Sequence, residues 1–176
     1  MIDHIQPPAQ PSSANQPDEP HLENPAEFLT AHFQRWSPPP DRELPVANAA
    51  LQVEAIGFAR CQGDWLGVVV TPWFIRLFLL NGGGSLWGAI PTGQRRYLEL
   101  PGGVLQFTAD DDPAIGPSQY SPLIDPVSAV PDMATAHRIA RDAMATFSGV
   151  AVAAPPVEPA PAVSRRGFLR RLAGRR

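Results

Sequence analysis

The sequence predicts the α+β fold class: a single compact domain with a helix, a five-stranded and mostly antiparallel sheet, and a second helix. Apolar residues recur at helical spacing before residue 37 and again after residue 132, whereas the stretch between them holds short β-rich runs divided by Gly and Pro. Fourteen of the 22 prolines lie in 1–25, 37–45 and 150–163. Because proline lacks an amide hydrogen and fixes φ, those stretches cannot form helix interiors or central strands.

The first helix is predicted to begin at Asn24-Pro25. Asparagine is a favoured N-cap, proline suits the first helical position, and Glu27 stands where a capping-box partner reaches back. The run of Pro38–Pro40 ends the helix. One stripe of the helix is apolar or aromatic, and we expect it to face the core: Phe28, Leu29, His32, Phe33 and Trp36.

Short β-rich runs follow, divided by turn residues. Asn81-Gly82 is predicted to be a hairpin turn. Leu98, Leu100, Val104 and Phe107 are expected to line an inner face. The five predicted strands are Val53–Cys61, Trp65–Thr71, Trp73–Leu80, Gln94–Leu100 and Gly103–Thr108.

The rest of the domain is predicted to be a connection and a helix. Ala109–Val130 is rich in proline, and its acidic run Asp110–Asp112 indicates a solvated turn because the calcium-loop spacing is missing. A helix from Asp132 to Phe147 has an apolar stripe, and Gly149 stands at its C-terminal cap position.

Composition divides the chain into four parts. Residues 1–23 are predicted to be a disordered proline-rich tail, because they hold too few apolar groups to offset the entropy of ordering. Residues 24–149 form the α+β domain, 150–163 an Ala/Pro linker, and 164–176 a basic C-terminal peptide. We find no secretory signal at the N-terminus, and a cytoplasmic location is expected.

Charge separates the body from the C-terminal peptide. All fourteen basic residues are arginine, and six of them lie in 164–176, which has no acid. Residues 1–163 hold eight arginines against seventeen acids, a balance of −9. Such a body argues against broad nucleic-acid binding, which needs a basic face. The basic end is typical of an interaction tail.

No motif points to catalysis, a cofactor or a metal. No pair of the four histidines has metal-ligand spacing, and the single cysteine, Cys61, excludes an internal disulfide. Gly82–Gly84 is not a phosphate-binding loop, because no lysine exists to complete it. Cys61 is expected to be an inert thiol, and a thiol enzyme is the weakest alternative. The sequence therefore predicts a non-enzyme without cofactor.

The C-terminal peptide begins Ser164-Arg165-Arg166-Gly167-Phe168-Leu169, the pattern S-R-R-x-F-L that opens a twin-arginine export signal. It cannot direct export of this chain, since only three uncharged residues follow before the last two arginines. A short basic amphipathic peptide that touches anionic lipid or an acidic partner is the simpler interpretation.

Several motifs together resemble one family. They run from Gly63-Asp64-Trp65-Leu66-Gly67 to Thr71-Pro72-Trp73-Phe74, and on through Leu100-Pro101-Gly102-Gly103 with Phe107-Thr108. Gln119-Tyr120, Ser121-Pro122-Leu123 and the arginine pair before Leu169 complete the set. On these residues the chain resembles the HybE/HupJ-type [NiFe]-hydrogenase assembly chaperones, from about residue 24 to 149 and again at the arginine tail. The proline-rich N-terminus and the Ala/Pro linker depart from that pattern.

The resemblance implies a cytoplasmic chaperone with a fold similar to type III secretion chaperones. Members are thought to bind hydrogenase subunits, including the twin-arginine signal of the small-subunit precursor, and to delay export until cofactor insertion is finished. The large subunit and other maturation proteins are further partners that it implies. It carries over no catalytic residues.

A receptor for such a signal needs carboxylates beside an apolar groove, because the signal is a cation followed by apolar residues. The apolar candidates are Trp73, Phe74 and Leu77, although plain core packing is the favoured explanation for any one of them. The acidic candidates are Glu54, Glu99 and the run that begins at Asp110. The tail residues Arg165, Arg166, Phe168 and Leu169 are candidates to occupy the same groove. The alternative function is a peripheral membrane adaptor that acts through the tail.

Overall fold

A six-stranded antiparallel sheet carries the fold in the computed structural model, which describes residues 18–38 and 46–149. The strand order is β1-β2-β3-β6-β5-β4. With its two helices the domain confirms the predicted α+β class, with one strand more than expected. The elements in chain order are α1 (Ala26–Arg35), β1 (Glu54–Cys61), β2 (Asp64–Val70), β3 (Ile75–Leu80), β4 (Arg95–Leu100), β5 (Gly103–Asp112), β6 (Gly116–Ile124) and α2 (Met133–Phe147).

Strand β6 lies inside the stretch 109–130 that was predicted to be a connection, and that prediction was wrong. Its prolines stand where only one neighbouring strand is present: Pro117 pairs with β5 alone, and Pro122 pairs with β3 alone. Gln119 and Tyr120, between them, pair with both neighbours. A proline is tolerated where no ladder hydrogen bond needs its missing N–H. The acidic run is likewise part of strand β5 rather than a turn.

The two helices lie on opposite faces of the sheet, both over strands β1 and β2. The predicted stripe of α2 is confirmed, with four residues buried against the sheet, and α1 buries Leu29 and Phe33. Phe28 was expected in the same stripe but is 45% exposed. The core on the α2 side includes Val68, Leu77, Leu79, Phe107 and Met144, and the core on the α1 side includes Phe33, Phe58, Phe74 and Phe78.

Local polar contacts fix the helix ends. Asn24 accepts a hydrogen bond from the Ala26 N–H at 3.0 Å, while its amide nitrogen donates to the Phe58 carbonyl of β1 at 3.1 Å. Asp132 caps α2 by accepting from the Thr135 N–H at 2.7 Å. Gly149 follows α2 with a φ of +69°, the left-handed conformation that glycine adopts at helix C-termini. The predicted cap residues therefore lie at the ends of both helices, Asn24 before α1 and Asp132 and Gly149 around α2.

The loop 81–94, between β3 and β4, is organised around the carboxylate of Asp64. This side chain has no exposed surface, and its two oxygens accept four backbone N–H groups at 2.8 to 2.9 Å. The predicted hairpin turn at Asn81-Gly82 was wrong, because β3 pairs with β6 and not with β4. Glycine is used here as the close-approach residue that lets backbone reach the carboxylate. The donors are the N–H groups of Gly82, Gly84, Leu86 and Trp87.

The same loop covers strands β6, β5 and β4 on the α2 side of the sheet. Gln119 donates from Nε2 to the Gly88 carbonyl at 2.8 Å and accepts from Arg96 Nε at 2.7 Å. A second nitrogen of Arg96 donates to the Leu86 carbonyl. Burial lowers the pKa of Arg96, and the charge of Asp64 opposes that change. The loop therefore covers part of this half of the sheet, and the C-terminal end of α2 reaches the β4–β5 turn, where Thr146 lies close to Gly102.

Residues 18–23, which were predicted to belong to a disordered tail, lie against this loop. The side-chain amide of Asn81 donates to the Asp18 carbonyl at 2.8 Å. The backbone carbonyl of Asn81 accepts from the His21 N–H, also at 2.8 Å. Trp65 Nε1 donates to the His21 carbonyl at 2.8 Å, and Arg60 donates to the same oxygen at 3.2 Å. Backbone hydrogen bonding, which composition does not report, orders this segment. The rest of the predicted tail lies outside the described residues.

Removing one oxygen of the Asp64 carboxylate tests its role as the centre of the loop. In Asp64→Asn the amide group faces two backbone N–H donors, which lose their acceptor while buried. We expect the free energy of unfolding, measured by urea denaturation, to fall by about 3 kcal/mol. Asp142→Asn, at an exposed position of α2, is the matched control and should stay within about 0.5 kcal/mol of wild type. Equal losses in the two variants would contradict this role.

The cap of α2 predicts a pH-dependent stability. Hydrogen bonds from Thr135 hold the pKa of Asp132 below its ordinary value, so the cap stabilises the fold above the unfolded pKa. That contribution disappears as the pH falls through the folded pKa. Thermal unfolding of Asp132→Ala and wild type should differ at neutral pH, and the difference should shrink as the pH falls below the ordinary aspartate pKa of about 3.9. A difference that does not change with pH would show that the carboxylate charge plays no part.

Candidate functional site

On the α1 side of the sheet, the exposed positions among the described residues lie mainly on strand β4 and the adjoining part of β5. Helix α1 lies over β1 and β2, and the loop 81–94 covers only the opposite side. Two large side chains are exposed here: Tyr97, at 70%, and Val104, at 63%. We call this surface the open face. An exposed apolar surface on a sheet is typical of an interaction site.

Strand register decides which side chains share the open face, because opposite residues of antiparallel strands point to the same side. Phe107 and Leu100 are buried on the α2 side, so their sequence neighbours point to the open face. Gln106 and Tyr97 lie opposite each other there, and the Gln106 amide donates to the tyrosine oxygen at 2.9 Å. The open face carries Arg95, Tyr97, Glu99, Val104, Thr108 and Asp110.

A row of aromatic rings borders the open face. The centroids of Trp36 and Trp73 are 5.6 Å apart, and those of Trp36 and Phe74 are 6.1 Å apart, both edge to face. We call this row the aromatic wall: Phe33, Trp36, Trp73, Phe74, Phe78 and Tyr120. Such contacts stabilise aromatic pairs beyond the area they bury.

Both arginine and acidic side chains lie around the open face. The Arg76 guanidinium lies between two rings of the aromatic wall, 4.2 Å from the centroid of Phe74 and 4.1 Å from that of Tyr120. Asp112, near the β5–β6 turn, has a carboxylate oxygen 3.1 Å from Nε2 of His32 on α1. The open face is therefore a mixed surface, and its acids lie at separate points rather than in one patch.

Four of the predicted site residues lie on this side of the sheet. Trp73 and Phe74 belong to the aromatic wall, while Glu99 and Asp110 lie on the open face itself. They form no single cluster, because Glu99 is on the edge strand and Asp110 lies near the opposite end of β5.

Two predicted site residues lie elsewhere. Leu77 has no exposed surface and packs in the core on the α2 side, since it alternates with Phe78 along β3. Glu54 is on the α2 side as well, with a carboxylate oxygen 2.9 Å from Nε2 of His137. Neither side chain reaches the open face. The tail candidates Arg165, Arg166, Phe168 and Leu169 lie outside the described residues.

Sequence reasoning missed the residues that give the open face its apolar character. Val104 was expected to line the inner face, but register places it on the open face. The alternation of Tyr97 and Glu99 with Leu98 and Leu100 along β4 is the signal that predicts an exposed side for this strand. Tyr120 was missed because β6 was not recognised as a strand.

Neither a metal cluster nor an activated thiol is found among the described residues. No three His, Cys, Asp or Glu side chains come together as a metal site within residues 18–38 and 46–149. Cys61 is buried, and burial, followed by the charge of Asp64, raises the pKa of its thiol. The thiol is therefore protonated at neutral pH and is not prepared as a nucleophile. Across the same residues, no helix is long and apolar enough to cross a membrane.

Comparisons with known proteins identify the family. The family model described as "[NiFe]-hydrogenase assembly, chaperone, HybE" matches residues 24–171. The hydrogenase expression/formation protein HoxT of Azotobacter vinelandii is 33% identical over 132 residues, which cover 74% of this chain and 85% of that protein. The probable rubredoxin HupJ of Rhodobacter capsulatus is 38% identical over 79 residues, 45% of this chain, and the match spans 28% of that longer protein.

A solved structure has the same fold. The solution structure of HybE from Escherichia coli superposes with a TM-score of 0.59 at 23% sequence identity, over 80% of this chain and 87% of that one. The resemblance found in the sequence motifs is confirmed by the family match, which covers most of the chain. The chain belongs to the HybE family of [NiFe]-hydrogenase assembly chaperones.

Proposed function

We propose that this hydrogenase maturation chaperone binds the small-subunit precursor through its twin-arginine signal and holds it on the open face until assembly is complete. Family membership supports a hydrogenase client. The site is supported by one observation above all, the exposure of Tyr97 and Val104 on the same side of strands β4 and β5. Binding alone accounts for this role, and no covalent bond is made or broken.

The chemistry of the signal matches the two kinds of surface on the open face. Its apolar segment needs exposed apolar side chains, which Val104 and Tyr97 supply on the same side of the sheet as the aromatic wall. The arginines of the signal need carboxylates, and Glu99 and Asp110 lie on the same side of the sheet as Tyr97 and Val104. The overall negative charge of residues 1–163 attracts a cationic segment at long range.

The contact set differs in part from the one that the sequence suggested. Trp73 and Phe74 border the surface as part of the aromatic wall, while Glu99 and Asp110 lie on it. Leu77 is left out because it supports the sheet from the core. Glu54 is left out because it faces α2 and pairs with His137.

The proposal places the chaperone in the cytoplasm, where an unexported precursor is found. The alternative function, a peripheral membrane adaptor, rests on the basic tail alone. That tail lies outside the described residues, and no described feature supports the alternative. The large subunit and other maturation proteins are further candidate partners, and binding of signal-free precursor would point to them.

Two exposed valines allow a matched test of the site. Val104→Ser removes an apolar group from the open face, and Val46→Ser makes the same change at an exposed position in the segment before β1. We expect the first variant to bind a labelled synthetic twin-arginine signal peptide about fivefold more weakly, a loss of about 1 kcal/mol, and the second to bind as wild type. Fluorescence anisotropy measures both. Indistinguishable affinities for the two variants would exclude Val104 from the site.

The S-R-R-x-F-L tail gives a second prediction. We propose that Ser164–Arg176 occupies the open face when no client is present, tethered by a linker that reaches about 40 Å when extended. Because the effective concentration of a tethered peptide is about millimolar, weak binding is enough. Deleting the tail, or changing Arg165 and Arg166 to Gln, should tighten binding of the labelled signal peptide. Unchanged or weaker binding would remove this competition from the account.

A further inference from the structure

The two edge strands of the sheet, β1 and β4, differ in whether other residues bond to their outward backbone groups. At the β1 edge, polar side chains near or on α1 use the outward backbone groups: Thr30 Oγ1 accepts from the Ala55 N–H at 3.0 Å, and Asn24 donates to the Phe58 carbonyl at 3.1 Å. Covering an edge in this way prevents another strand from pairing with it. The β4 edge has no such cover among the described residues.

The turn that joins β4 to β5 shows which backbone groups of β4 point outward. Pro101-Gly102 is a two-residue connection, so Leu100 and Gly103 form a hydrogen-bonded pair. Because such pairs alternate along an antiparallel ladder, the N–H and C=O groups of Arg95, Tyr97 and Glu99 point away from the sheet. Within residues 18–38 and 46–149, no hydrogen bond reaches these backbone groups.

We propose that two copies of this chain pair antiparallel along β4, with Tyr97 of each copy at the centre. In this register Arg95 of one copy lies opposite Glu99 of the other, and the reverse pair forms on the far side of the two-fold axis. All three positions have outward backbone groups, so the pairing forms about six hydrogen bonds. Opposite charges directly across an antiparallel pair are favourable.

Charge selects this register over its neighbours. Pairing centred on Glu99 would place two glutamates opposite each other, and pairing centred on Arg95 would place two arginines opposite each other. A shift by one residue would bring inward-pointing backbone groups to the interface and move each strand to the wrong face. A shift by two residues keeps outward groups paired, but it places Tyr97 opposite Arg95 or Glu99 and forms about four hydrogen bonds instead of about six. The edge is therefore best matched to itself in the register centred on Tyr97, and such self-complementarity is what a two-fold interface requires.

The pairing goes beyond the proposed function because it depends on the strand edge and not on a client. Directly opposite residues point to the same side, so the two open faces join into one continuous surface. A client segment that adds to β4 as an extra strand is the competing occupant of this edge, and the experiment separates the two.

Sedimentation equilibrium of the full chain, without client, tests the proposal over about 1 µM to 1 mM, the range expected of a weak interface. We expect concentration-dependent dimers for wild type. Arg95→Glu places Glu opposite Glu twice, and Glu99→Arg places Arg opposite Arg twice, so each variant alone should dimerise at least tenfold more weakly. Glu27→Arg, the same charge change on an exposed position of α1, should dimerise as wild type.

A mixture of the two single variants supplies the decisive comparison. Arg95→Glu in one copy and Glu99→Arg in the other restore opposite charges at both pairs, so the mixture should form heterodimers, and the double variant should recover homodimers. A monomer throughout the range for wild type, or a mixture that dimerises no better than each variant alone, would overturn the proposal. Signal-peptide affinity is measured separately, so this failure is distinct from failure of the proposed function.

Discussion

Two helices cannot cover both faces of a six-stranded sheet. The architecture depends on which parts of the remaining sheet surface are covered by other segments and which stay exposed. Strands about 4.8 Å apart make a sheet some 24 Å wide, whereas a helix with its side chains is about 10 Å across. Both helices lie over β1 and β2, where their apolar stripes are buried. The other half of the sheet must be covered by something else or left exposed.

The two faces of that half-sheet differ in how far other parts of the chain cover them. On the α2 side, the loop 81–94 covers part of it, and the buried carboxylate of Asp64 holds this loop through four backbone hydrogen bonds. On the α1 side, strand β4 and the adjoining part of β5 have no such cover among the described residues, and Tyr97 and Val104 remain exposed. An asymmetry of this kind suits a chaperone, because one face supplies stability and the other is available to a client.

Sequence patterns located the elements that local chemistry specifies. Caps and proline runs mark the ends of both helices, and turn residues separate the first five strands close to their observed bounds. Strand β6 was not predicted because Pro117 and Pro122 argue against a central strand. Each of these prolines pairs with only one of the two neighbouring strands, which the sequence alone does not show. The Asp64 loop and the docking of residues 18–23 depend on backbone contacts across long sequence separations, which no local pattern reports.

The candidate site was predicted only in part for a related reason. Glu99 and Asp110 could be named as exposed acids, but their separation depends on strand order. Leu77 and Phe74 lie in the same apolar run of the sequence. In the fold, however, Leu77 packs in the core on the α2 side and Phe74 in the core on the α1 side. Residue type therefore identified the right kinds of surface, while the sheet topology decides which of them share a face.

Chemical-shift mapping of the full chain with a twin-arginine signal peptide tests the central claim most directly. Backbone amide resonances should move along β4 and β5 on the open face, at Tyr97, Glu99, Val104 and Asp110, while those of α2 and the loop 81–94 stay in place. Shifts confined to α2 and that loop, or no shifts at saturating peptide, would contradict the account.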